Sequence, residues 1–177
     1  VERLQRVSAS ALDVLRQIRS TTDSERRNEM AQDVRHKVLE ALGYEWKRES
    51  ELTGFDGNPV IPLLGKVSDI SGKDALWIIE APVPGNEDEA SDPLDAKFQS
   101  SQFSDGDSEA ALLDRTIGET LAQGVFELPD SPRSILIIGL SQVVLVDKRK
   151  WPTRSVLRFD LQEIFSRAER DTLVLTA

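Results

Sequence analysis

Two carboxylates stand where a sheet could carry chemistry. Asp69 lies in "KVSDI" and Glu80 closes the run "DALWIIE", with ten residues between them. If the two phrases are neighbouring strands, both acids can reach one Mg²⁺, a hard cation that takes oxygen ligands and keeps several waters. An ion held in this way activates water and stabilises charge on a phosphate oxygen. Asp69 and Glu80 are therefore the candidate catalytic and metal-binding pair. The plain alternative is that Glu80 is only the polar end of a buried strand.

A second candidate is a compact basic stretch, "VDKRKWPTRSVLRF". Lys148, Arg149, Lys150, Arg154 and Arg158 fall within it with no acid between them, and Trp151 sits in their midst. Cations of this density neutralise phosphates, and an aromatic ring offers a base a stacking surface. These six residues are the candidate DNA contacts. The plain alternative is a solvated turn whose charges guard a sheet edge.

Composition excludes much else. The 177 residues hold no cysteine and one histidine, His36, so neither thiolate chemistry nor a multi-histidine metal site can form within the chain. Val34 and Val38 flank His36 on an apolar helix face, which points His36 towards solvent. Glycine-rich phosphate loops and nucleophile elbows are absent. No apolar run approaches the ~18 residues of a membrane span, so no membrane partner is expected. The absence of cysteine fits a cytoplasmic protein. The net charge is −9, but eight carboxylates and a single lysine fall between residues 86 and 109. That stretch is rich in Pro, Gly and Ser, and it lacks the spacing of a calcium loop. Residues 84–109 are expected to form one acidic, solvated loop.

The elements that would position these groups follow from periodicity. Leu4, Val7, Ala11, Leu15 and Ile18 predict a first amphipathic helix. Met30, Val34, Val38 and Leu42 predict a second, opened by a capping box of Thr22 and Glu25 and ended at Gly43. Residues 51–65 read as turn, short strand, turn. "KVSDI" and "DALWIIEA" read as strands, the second covered on both faces. Ala110, Leu113, Ile117 and Leu121 predict a third helix running to about Gly124. "SILIIGLSQVVLVD" predicts a hairpin and "SVLRF" a further strand. A last helix starts at a capping box of Asp160 and Glu163, stapled by Phe159 and Ile164. The expected fold is a single α/β domain with a mixed central sheet flanked by helices. A chain opening on Val1 and closing on "TLVLTA" is read as a piece of a longer protein.

Several phrases together carry a resemblance: "VLEALGYEW", "ALWIIEAP" with its acidic "DP" loop, "ILIIGLSQVVLVDKRKW" and "LRFDLQEIF". In this order they resemble the N-terminal region of large bacterial adenine DNA methyltransferases. These are the type IIG restriction–modification enzymes and phage-defence methylases of the BREX and DISARM kind. The resemblance implies a restriction-endonuclease-like, PD-(D/E)XK-like domain placed before the methyltransferase domain. In that motif a lysine follows the Glu by two residues and positions the attacking water. Asp69 and Glu80 match its acids, while Pro82 stands at the lysine, so the domain is expected to be degenerate. It would contact DNA, or dock the downstream methyltransferase domain. S-adenosylmethionine would be bound only by that downstream part. Two alternatives remain open: an active Mg²⁺-dependent endonuclease using Lys66 or Lys73, and a protein-interaction module with no nucleic-acid role.

Overall fold

A computed structural model describes residues 2–56, 59–83, 92–103 and 110–167. Two long helices come first: α1 (Glu2–Ser20) and α2 (Ser24–Leu42). Asp23 caps α2, its carboxylate accepting from Arg26 N at 3.2 Å. The expected cap was Thr22 with Glu25, and the Glu25 side chain lies outside the description. Gly43 ends the helix in a left-handed conformation, with φ of 88°. A two-stranded hairpin follows, β1 (Glu49–Leu52) and β2 (Val60–Leu63). Half of its first strand, Glu49 and Ser50, lies in a stretch the sequence pattern leaves unassigned, and the other half, Glu51 and Leu52, replaces part of the expected turn, because β1 alternates half-buried and exposed residues with only one apolar side chain.

The main sheet has five strands: β3 (Gly65–Ser68), β4 (Asp74–Glu80), β5 (Ser134–Ile138), β6 (Gln142–Asp147) and β7 (Val156–Asp160). They lie side by side in chain order, and only β4 and β5 run parallel. The protein is thus a mixed α/β structure with a central, mostly antiparallel sheet flanked by helices.

Strand pleating sorts the core into two layers. Trp77 and Ile79 of β4, with Ala81 just beyond it, join Ile135, Ile137, Val144 and Val146 on one face. Leu94, Phe98, Leu112, Ile117 and Leu121 pack there. On the other face Ile78, Leu136, Ile138 and Val143 meet α1, α2 and the terminal helix α5 (161–167) through Leu15, Val34, Leu39 and Phe165. Side chains two apart on a strand share a face. Hence β4 reads as an unbroken apolar run because both of its faces are covered. Asp160 caps α5 as expected, accepting from Glu163 N at 2.9 Å.

Two expectations are corrected. The third helix is not continuous. It forms α3 (Ala110–Leu113), breaks, and restarts as α4 (Ile117–Thr120), which winds on through a wide π-type turn, Leu121–Val125. The break is local chemistry. Thr116 and Glu119 form a capping box, with Thr116 in an extended conformation that no helix can pass through. The acidic segment is not wholly solvated either. Residues 84–91 and 104–109 lie outside the description, but 92–103 is packed. Leu94 and Phe98 are buried, and Leu94 O and Ala96 O accept from Gly118 N and Ile117 N at 2.8 Å. Two apolar side chains outweigh the acidic composition around them.

Candidate functional site

Glu80 sits at the C-terminal end of β4, on the row that begins with Leu76 and Ile78 and faces the helices. That placement puts a carboxylate beneath α2. On α2 the buried positions are Ala31, Val34, Arg35, Val38 and Leu39, so Arg35 belongs to the apolar stripe. Its Nη1 donates to Glu80 Oε1, and its Nη2 donates to Ala81 O at 2.5 Å. The Arg35 side chain is 2% exposed and that of Glu80 is 11% exposed. Burial pulls the guanidinium below its usual range, and the Glu80 carboxylate opposes that pull by charge and by hydrogen bond. A guanidinium starts so far above neutral that it remains charged. The Arg35–Glu80 pair is therefore a buried ion pair tying α2 to the end of the central strand.

Asp69 is not brought to Glu80. It lies in the turn between β3 and β4, so the two acids stand at opposite ends of β4, roughly 20 Å apart at ~3.3 Å per residue. Asp69 Oδ1 accepts from Ser71 N at 2.7 Å, Ser71 Oγ at 2.6 Å and Lys73 N at 3.1 Å. The bonds from Ser71 hold its carboxyl below the ordinary aspartate range. Asp69 organises a tight turn in which Gly72 takes a φ of 80°. Lys66 and Lys73 are also remote from Glu80. Lys66 is opposite Trp77 and bonds Glu51 at 2.5 Å, with Glu49 and Asp74 within 4.0 Å. Its bond to Glu51 is the main cause of a raised ammonium pKa. Lys73 is in the Asp69 turn, 3.9 Å from Asp130. No cluster of three metal-ligating side chains occurs among the described residues. The residues therefore do not fit a Mg²⁺ shared by Asp69 and Glu80.

Glu80 does line a polar cleft. Asn28 and Gln32 of α2, Arg48, and Gln99 and Gln102 of the packed segment surround a space of about 220 Å³ beside it. Gln102 Nε2 donates to Glu80 O at 3.0 Å and fixes one wall. Pro82 forms part of the rim. The cleft is lined by amides, by the charged side chains of Glu29 and Arg48, and by the Glu80 carboxylate, whose charge Arg35 already balances.

The basic stretch folds into a corner at the far end of β6, and its members divide. Lys148 is half-buried and structural: its Nζ bonds Ser131 Oγ at 2.5 Å and holds the loop before β5. Arg158, on β7, pairs with Asp92 at 2.6 Å. Arg149, Lys150 and Arg154 are exposed. Trp151 packs its ring on Phe126, centroids 6.1 Å apart, while the Arg154 guanidinium lies 5.4 Å from the indole centroid. Arg154 takes a left-handed conformation with φ of 55°, uncommon for a residue with a Cβ. Beside this corner a groove of about 440 Å³ is lined by Trp151, Arg154 and Arg158 and by Asp92, Asp95 and Glu119. His36 is exposed as expected, and its ring stacks on Trp46 with centroids 5.4 Å apart.

Sequence reasoning missed Arg35. The signal was present: Arg35 is four residues after Ala31 and four before Leu39, on the stripe that the apolar residues define.

No known protein family, no curated protein and no solved structure matches the chain in sequence-family, sequence and fold comparisons. Among the described residues no helix is long and apolar enough to cross a membrane.

Proposed function

We propose that this chain is a degenerate restriction-endonuclease-like domain of an adenine DNA methyltransferase from a restriction–modification or phage-defence system, working by contact and not by cleavage. The observation that carries the reading is the state of Glu80. At the position where the resemblance puts a metal-binding acid, the carboxylate is already bridged by Arg35, and Pro82 follows where a lysine would act. A guanidinium fills the role of the balancing cation, so the strand end keeps its shape without an ion. The other half of the reading is DNA backbone contact at the corner of Arg149, Lys150 and Arg154, with Trp151 as the apolar support.

DNA retention measured against salt tests this. Each lost phosphate contact lowers the slope of log K against log salt by roughly 0.9. Replacing Arg149, Lys150 and Arg154 together by Ala is expected to weaken binding and flatten that slope by nearly three contacts' worth. Unchanged affinity and slope would refute DNA contact at this corner. Mg²⁺-dependent cleavage that disappears in Glu80→Gln would overturn the non-cleaving half and restore the endonuclease alternative.

One observation favours a second reading, docking without nucleic acid. Asp92, Asp95 and Glu119 line the groove beside Trp151, and a phosphate backbone is repelled by such a wall. Under that reading the intact chain retains no DNA even at low salt, and a protein partner is captured through the groove.

A further inference from the structure

We propose that β7 is an edge through which two copies of this chain pair, antiparallel strand against strand, about a two-fold axis at Arg158. The five-stranded sheet has two edges, β3 and β7, and they are built differently. An open edge invites pairing, and proteins blunt it with short strands, bulges, inserted charges or proline. β3 carries several of these devices. It is four residues long, its register breaks between Val67 and Ser68, and Lys66 sits among Glu49, Glu51 and Asp74. β7 has a regular register against β6 over all five residues and no proline in "VLRFD"; its two charges are engaged within the chain, Arg158 by Asp92 and Asp160 by Glu163 N. Its Leu157 is 60% exposed and its Phe159 is 42% exposed. Among the described residues no strand lies beyond it.

The backbone of β7 is oriented for a partner. Leu161 N donates to Ser141 O at 2.8 Å, on the same register that pairs Gln142 with Asp160. Alternation along an antiparallel ladder then turns the N–H and C=O groups of 157 and 159 towards β6. Those of 156, 158 and 160 turn outward.

The strand is self-complementary. With Arg158 opposite Arg158 of a second copy, all five residues find partners. Val156 lies opposite Asp160, and Leu157 lies opposite Phe159, twice across the axis. These apolar pairs fall at non-hydrogen-bonded positions, where side chains approach most closely. They bury on the helix-covered face the two side chains that β7 now exposes. The repulsion expected between the two arginines is relieved because each is already held by its own Asp92 at 2.6 Å. This isologous pairing is the usual closed form for a homodimer. A five-residue contact falls at the small end of interfaces, below ~1,200 Å², so the dimer is weak, with a Kd on the order of 10 µM.

Sedimentation velocity of the intact chain, from about 1 to about 200 µM, spans the affinity a contact of this size calls for. A concentration-dependent monomer–dimer equilibrium is expected. Arg158→Pro removes an outward-facing N–H, which an edge strand tolerates, and the ion pair with Asp92, which Arg158→Ala removes as well and so controls for. It is expected to raise Kd at least roughly tenfold. Arg158→Ala keeps that N–H and removes the like charges, so it is expected to dimerise equally or more tightly. Should the proline variant fail to fold, Leu157→Glu with Phe159→Glu changes only exposed side chains and is expected to be monomeric. A chain that stays monomeric at the highest concentration overturns the proposal, as does a dimer indifferent to Arg158→Pro or to the double Glu variant.

Discussion

Removing either half of the Arg35–Glu80 pair is expected to destabilise the fold strongly, and removing both is expected to cost less than the two losses added together. Arg35→Leu leaves the Glu80 carboxylate largely buried and strips Ala81 O of a donor at 2.5 Å. Glu80→Leu leaves a guanidinium that is 2% exposed without its counter-charge. Breaking a buried pair from one side costs about 3–5 kcal/mol, because the surviving charge is uncompensated. Replacing both residues by Leu removes both charges. The double variant is expected to lose at least about 2 kcal/mol less than the sum of the single losses. Urea unfolding, fitted with a common m-value, reads all four proteins. Single losses below about 1 kcal/mol, or single losses that simply add in the double variant, would refute the account of a buried, charged pair.

Other expectations are more local. A Cβ at Gly124 would lie 2.5 Å from the Phe55 ring, so Gly124→Ala should cost about 1–3 kcal/mol and lower Tm. Glu119 has its carboxyl held below the usual range, chiefly by the Thr116 backbone N–H and then by the Thr116 side chain. Its contribution is present above the ordinary glutamate value and is lost as pH falls through the lower folded value. Glu119→Gln should therefore lose less Tm than the native chain between pH 6 and pH 3, within about that window. Lys148→Met breaks the bond to Ser131 and should cost about 1 kcal/mol in urea unfolding, whereas the exposed Lys150→Ala should stay within about 0.5 kcal/mol.

What was legible in the sequence was whatever periodicity or turn chemistry wrote locally. The runs at 74–80 and 134–147 are apolar beyond what one covered face requires, and both proved to be central strands with side chains in two core layers. Asp160 announced its helix by spacing alone. The failures share a physical cause: a local signal was outweighed by a contact distant in the chain, or two local signals competed. Asp69 looked like a strand carboxylate because "KVSDI" is apolar enough to continue, yet Ser71 and Gly72 make "DISGK" a turn, and turn chemistry won. Thr116 and Glu119 broke a helix that apolar spacing alone had joined. Leu94 and Phe98 were hidden by the acids around them, and only packing against Ile117 and its neighbours reveals their role. Arg35 was readable from its place on the stripe, but its partner Glu80, 45 residues away, was not.

The single parallel pair in the sheet has a consequence for how the chain reaches this structure. Leu76 of β4 pairs with Ser134 of β5, so the central contact closes a loop of roughly sixty residues, whereas β3–β4 and β5–β6–β7 each close through short turns. The two antiparallel units are local and can form early. Their union must wait until the crossover segments 92–103 and 110–126 have packed, and joining the two is the expected slow step. Until then β4 and β5 each present an unpaired edge of nearly uncharged, β-branched sequence, "ALWII" and "ILII". Such segments pair with copies of themselves when exposed. Refolding yield should therefore fall with protein concentration well before equilibrium stability is at issue, and the late-forming seam at the centre of the sheet is where that competition is decided.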